Sequence, residues 1–177
     1  MSGKYQYQII SKVEAADRQL RVAIRLFFER KDLLAVHTLA AAAQGILTDL
    51  ARPKDIKIIF DRLDPDLRRA YRSAQNFLKH ADKDPEQQFA FFPEATKFHL
   101  FEAAVVHSIL TQTMSPEVTG FLGWFLKTFP HWFDTRDWPE FGRIIDLAKG
   151  ENFDDFDLVL AAIDKEYHQA QPESGGS

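Results

Sequence analysis

Apolar residues recur at steps of three and four through the first half of the chain, and the polar residues fall between them. From Val13 to Arg30, the positions Val13, Ala16, Leu20, Ala23, Ile24 and Phe27 share one face, while Glu14, Asp17, Arg18, Arg21 and Arg25 fall elsewhere. That spacing predicts an amphipathic helix. A second run opens at Asp32, a residue suited to an N-cap, and continues through LLAVHTLAAAAQGILTDLA to Arg52-Pro53, where proline disfavours further helix. Its small residues, Ala40 to Ala43 and Gly45, allow a neighbouring helix to come close.

Asp55 to Leu63 reads as a short helix. Asp64-Pro65-Asp66 then restarts the chain with a capping residue, a proline at the first helical position and an early acid, predicting a helix from Pro65 to about Ala81. The stretch Asp82 to Phe92 carries turn chemistry followed by a short apolar piece, with room for one small strand or hairpin. Pro93 opens a helix through FHLFEAAVVHSILTQT whose nearly continuous apolar content marks it as central. Ser115-Pro116-Glu117 starts another that must end by Pro130, and two shorter helices follow, Pro139 to Lys149 and about Asp154 to His168. The sequence thus predicts an all-α protein, an up-and-down helical bundle with additional short C-terminal helices, forming one domain over residues 1–170. The ending QPESGGS has the composition of a flexible tail, residues 171–177.

Composition agrees with one packed core. The 177 residues are 45% hydrophobic against 27% charged, and 16 phenylalanines with 3 tryptophans make aromatic packing a large part of the interior. Cysteine is absent, which excludes disulfides, thiolate metal sites and a cysteine nucleophile. No stretch has about 18 uninterrupted apolar residues and the start lacks a secretory core, so the expectation is a cytoplasmic protein with no membrane partner. A formal charge of −4 argues against indiscriminate coating of nucleic acid, while permitting a local basic patch.

The most unusual polar run is Tyr71-Arg72-Ser73-Ala74-Gln75-Asn76-Phe77-Leu78-Lys79-His80-Ala81-Asp82-Lys83-Asp84-Pro85. On a helix Arg72, Asn76 and His80 form one stripe, bordered by Lys79. These four are the candidate site residues. A purely structural account of the same run is that Lys79 and His80 place cations in the last helical turn and that Asp82 and Asp84 are turn residues. A third account makes His80, Asp82 and Asp84 ligands of a hard or borderline metal ion in an enzyme, although the glycine and glutamate of an EF-hand loop are missing.

The pattern Gln75-Asn76-Phe77-Leu78-Lys79-His80 resembles the R-N-x-x-x-H signature of the HEPN superfamily, and LRVAIRLFFERKDLLAVHTLAAAAQGILTDLA is similar to the paired helices that open that fold. The resemblance covers about half the chain, from Val13 to Pro85. It implies a bundle that dimerises to join two copies of the motif, with no cofactor and no bound metal. It also implies RNA, nucleotide or partner-protein binding in a prokaryotic defence or toxin–antitoxin type system. In active members the histidine works on the ribose hydroxyl or leaving oxygen and the arginine holds the phosphoryl group, a metal-independent ribonuclease mechanism. Here Gln75 stands where that arginine would be. The missing charge points to a binding member rather than a nuclease, unless Arg72 or Lys79 substitutes.

His37 and His107 sit in apolar helices and read as hydrogen-bonded core residues. His99 and His107, eight apart, share a face on which they could converge, with nothing else in the sequence supporting a site there. The run Phe121 to Phe141 holds all three tryptophans. Most of its rings are expected to close the core, while Trp132, Phe133 and Trp138 in a loop offer an alternative function as a docking surface for another protein. Phosphate-binding glycine loops, a nucleophile elbow and H-E-x-x-H are absent.

Overall fold

The computed structural model describes residues 7–56, 58–79, 85–130, 144, 146 and 150–170. Six α-helices account for most of them: α1 (Lys12–Phe28), α2 (Leu33–Ala51), α3 (Pro65–Lys79), α4 (Ala95–Thr111), α5 (Pro116–Thr128) and α6 (Phe156–Ala170). No strand occurs among the described residues, and the protein is an all-α helical bundle.

The helix starts follow from capping chemistry. Ser11 accepts from the Glu14 N–H, Asp32 from Leu34 and Ala35, and Ser115 from Val118, each satisfying donors that the first turn leaves free. The end of α1 is a turn in which Lys31 N–H reaches the Leu26 carbonyl and Arg30 N–H that of Phe27, with Arg30 at φ 55°, a conformation that glycine more often supplies. Asp55 to Leu63 does not form the expected helix. Pro53 ends α2 in a 3-10 turn (Arg52–Lys54), Asp55 turns left-handed at φ 56°, and only a second 3-10 turn (Ile59–Arg62) follows. The described part of the segment after α3, residues 85–92, carries no strand or hairpin. The expected Pro139–Lys149 helix lies outside the described residues except for Ile144 and Asp146, which are helical.

At the centre, α2 is flanked by α1 and α4, with α5 against α1 and α4 and α6 against α5. The alanines of α2 do what their size allows: Ala40, Ala43 and Ala51 are wholly buried. By length and composition the stretch Leu33–Lys54 would also cross a membrane, because alanine raises its average hydropathy without forming an uninterrupted apolar run. In the fold its apolar side packs on α1 and α4. At the far end Phe28 stacks on Phe156 (centroids 3.8 Å apart), and Trp124 meets Phe27 and Phe28 edge-on at 5.0 and 5.7 Å. Gly120 permits the approach of α6, since a Cβ there would lie 3.0 Å from the Phe156 ring. The described part of the tryptophan-rich run is therefore core, and Trp132, Phe133 and Trp138 lie outside the described residues.

Candidate functional site

Helix α3 is polar along most of its length and touches the bundle through one edge. Asp64 starts it, its side chain accepting from the Asp66 N–H at 2.9 Å. Tyr71 anchors it: the ring lies 4.4 Å from Phe60 and 3.8 Å from His99, and its hydroxyl donates to the Ala95 carbonyl at 3.1 Å. Burial and the nearby Glu102 carboxylate push the Tyr71 hydroxyl far above the usual phenol range.

On the outer side of α3, Pro65, Arg68, Arg69, Arg72, Ser73 and Asn76 surround a depression of about 370 Å³. Arg72 and Asn76 are exposed, as the stripe requires. Lys79 closes the helix, but its side chain is not among those described, and His80 with the whole His80–Asp82–Asp84 turn lies outside the described residues. Sequence reasoning missed Arg68, one turn before Arg72. Arg69 pairs with Asp66 at 3.3 Å, and the nearby Asp49 and Asp61 flank Arg52 at 3.7 Å each. Among the described residues no carboxylate lies within ion-pair distance of Arg68 or Arg72.

Behind α3 a second, larger space of about 450 Å³ opens between α2, α3, α4 and the segment 89–92. Its wall is almost wholly apolar apart from His37 of α2, Tyr71 and Ser73 of α3 and Glu102 of α4. His37 of α2 has Nδ1 3.2 Å from Thr96 Oγ1, while its Nε2 has no hydrogen-bond partner. Its ring meets His99 edge-on at 4.6 Å, and neither ring nitrogen of His99 has a partner. Burial lowers both imidazole pKa values, that of His99 to about 2 with repulsion from His37 adding to the effect, so both rings are neutral. Glu102, one turn after His99, accepts from the Phe60 N–H at 2.7 Å and from Gln44 Nε2 at 2.9 Å. Burial raises its carboxyl to about 7 against the pull of those two donors.

His99 and His107 do not converge. Eight residues of helix separate them by about 12 Å, and His107 instead places Nε2 3.2 Å from Asp17 Oδ1 of α1. The cross-helix partner of His99 is His37. Among the described residues no group of three or more histidines, aspartates or glutamates is placed to hold a metal ion. Tyr71, Thr96, Gln44 and Glu102 were not singled out from sequence. The available signal was periodic: His37 and Gln44 are seven apart in α2, and Thr96, His99 and Glu102 are three apart in α4, all on core-facing stripes.

No family model, curated protein or solved structure matches the chain.

Proposed function

We propose that this protein binds the phosphates of single-stranded RNA through the outer face of α3, as a HEPN-like binding protein. One observation carries the reading: Arg68 and Arg72 stand one turn apart beside Asn76, around a concave surface, with no acidic partner among the described residues. Like charges at this spacing repel by about 0.2–0.5 kcal/mol, which Asp49 and Asp61, sharing a neighbouring depression with Arg72 but beyond ion-pair distance of it, relieve only in part and a bound anion would remove. A guanidinium holds a phosphate through two parallel hydrogen bonds, and Asn76 adds a neutral donor within reach of the same oxygens. The surrounding protein is net acidic, which confines attraction to this stripe and disfavours non-specific coating.

The resemblance of residues 75–80 to the HEPN signature supports the same face. On this reading two copies dimerise to join their α3 stripes in a cytoplasmic defence or toxin–antitoxin type assembly, and His80 is the residue on which any cleavage would depend. With Gln75 in place of the family arginine, binding without cleavage is the expected behaviour.

The test is fluorescence anisotropy of a labelled single-stranded RNA oligonucleotide, with a nucleoside monophosphate as competitor to separate free phosphate from polymer. Two phosphate contacts weaken binding about sevenfold between 50 and 200 mM salt. The Arg68→Ala/Arg72→Ala double variant should lose both the affinity and most of that salt dependence, with its melting temperature unchanged or raised. RNA binding that survives the double variant, or no binding at 50 mM salt, rejects the proposal. RNA that is cut by the wild type and spared by His80→Ala would convert it from a binding to a catalytic function.

A further inference from the structure

We infer that the aromatic cavity behind α3 receives an unstacked nucleobase of the RNA whose phosphates lie on Arg68 and Arg72. The inference rests on the phosphate-binding reading of α3 and names what the neighbouring cavity contributes to it. Ser73 is the link, since it borders both the arginine-lined depression and the cavity. One side chain thus separates a place for phosphate from a place for an apolar ring.

The cavity suits a base better than a hydrocarbon chain. Its wall presents the rings of Phe60, Tyr71, Phe89, Phe91, Phe98 and Phe101, and flat π-surfaces favour stacked or edge-on contact with another flat ring. About 450 Å³ exceeds by severalfold the roughly 150 Å³ that encloses benzene, leaving room for a fused-ring base with part of its sugar. A hydrocarbon would leave the polar part of the wall unmatched. His37 is 1% exposed and its Nε2 has no hydrogen bond, and Glu102 belongs to the same wall. A nucleobase carries donors and acceptors around an apolar face and so answers both parts of the lining. The His37 ring being neutral, the wall offers no cation, and an anionic occupant gains nothing there.

Access fits as well. The segment that lines the cavity, residues 89–92, has no regular secondary structure, and Phe92 within it is 65% exposed. Phe89 and Phe91 both line the cavity, Phe91 being edge-on to His37 at 5.3 Å.

The experiment uses single-stranded RNA in which one position at a time is 2-aminopurine, whose emission falls when it stacks on an aromatic ring, with anisotropy recorded on the same samples. Quenching at one position is expected on binding. The variants Phe89→Leu and Phe91→Leu should restore emission and weaken binding by about tenfold, within the range measured for loss of one base–aromatic stack, while leaving the salt dependence as in wild type. His37→Phe, which keeps the ring and removes its nitrogens, should weaken binding of the preferred base and flatten discrimination among the four bases. Salt-dependent binding that needs Arg68 and Arg72 but leaves 2-aminopurine emission unchanged at every position overturns the inference and spares the proposed function. So does quenching that persists unaltered in both phenylalanine variants. Absence of any RNA binding removes the two together. Thermal unfolding followed by circular dichroism identifies any variant that has failed to fold. Ala90→Trp, at an exposed position on the cavity rim, then repeats the test by filling the space, with loss of quenching expected and retention counting against the inference.

Discussion

Glu117 and Glu102 are buried alike, 2% and 3% exposed, on consecutive helices, yet their carboxyl groups are driven in opposite directions. Burial alone raises both. At Glu117 the guanidinium of Arg21 (3.1 Å) and that of Arg25 (2.8 Å) overcome it and hold the carboxyl below its ordinary range. At Glu102 the partners are a backbone N–H and a neutral amide, which return only part of the lost hydration, and the group comes to rest near 7. Burial therefore does not set the charge state of a carboxyl; the charge on its partners does. The first arrangement is a clamp between α1 and α5. The second leaves a proton poised beside an open cavity, the kind of environment found at binding sites more often than in passive cores.

The largest effect should come from breaking the clamp. Removing one partner of a buried ion pair costs about 3–5 kcal/mol, but Arg21 and Arg25 are each nearly half exposed and recover much of their hydration. Glu117→Ala is therefore expected to cost about 2–3 kcal/mol, or roughly 5–10 °C in a chain of this size. Urea unfolding and thermal melts measure it directly. A loss below about 1 kcal/mol would mean that the arginines do not hold α5 to α1.

A pH-dependent effect of similar size separates the two glutamates. Glu102 binds its proton more tightly folded than unfolded, so its contribution to stability is complete below pH 4.5 and is lost as pH rises through about 7. The histidines run the other way: His99, lowered from 6.5 to about 2, loses stability as pH falls below about 6.5, and His37 and His107 act in the same direction. Between pH 4.5 and 6.5 Glu102 thus offsets about one histidine. Glu102→Gln removes that offset. The variant should match wild type near pH 4.5, exceed it by up to about 3 kcal/mol at pH 8, and show the steeper rise of stability with pH between those limits. Parallel profiles for the two proteins would place the Glu102 titration outside this window and end the contrast with Glu117.

These pairings mark the boundary of what the sequence could reveal. Helix starts were legible because caps are local: Asp32, Ser115 and Asp64 each bond to a backbone N–H two or three residues away. The helix expected over Asp55–Leu63 failed for an equally local reason, the left-handed turn at Asp55 after Pro53, which apolar spacing alone does not disclose. On the candidate stripe, helical spacing put Arg72 and Asn76 on one exposed face, and that much is present. Arg68 lies one turn ahead of the signature-like run and carries no mark in the sequence beyond its helical spacing from Arg72. The convergence expected of His99 and His107 confused sharing a face with sharing a place. What sequence could not give was the partner across the interface. Glu117 meets Arg21 across 96 positions and His37 meets Thr96 across 59, and such distances are fixed by how helices pack.

The smallest effect tests whether His37 and His99 differ as their partners do. His37 has one hydrogen bond, between Nδ1 and the Thr96 hydroxyl, and His99 has none. Thr96→Val keeps the shape of the side chain and removes the oxygen, leaving His37 in the condition of His99. The lost hydrogen bond is worth about 1 kcal/mol, and freeing the ring to turn should broaden its imidazole resonances in nuclear magnetic resonance spectra. The same variant bears on RNA: if Thr96 orients His37 for a base, discrimination among bases weakens while the salt dependence set by Arg68 and Arg72 stays as it was. An unchanged melting temperature together with unchanged base preference would show that the Thr96 contact neither stabilises the seam nor orients it, and His37 would then be an ordinary buried ring like its neighbour.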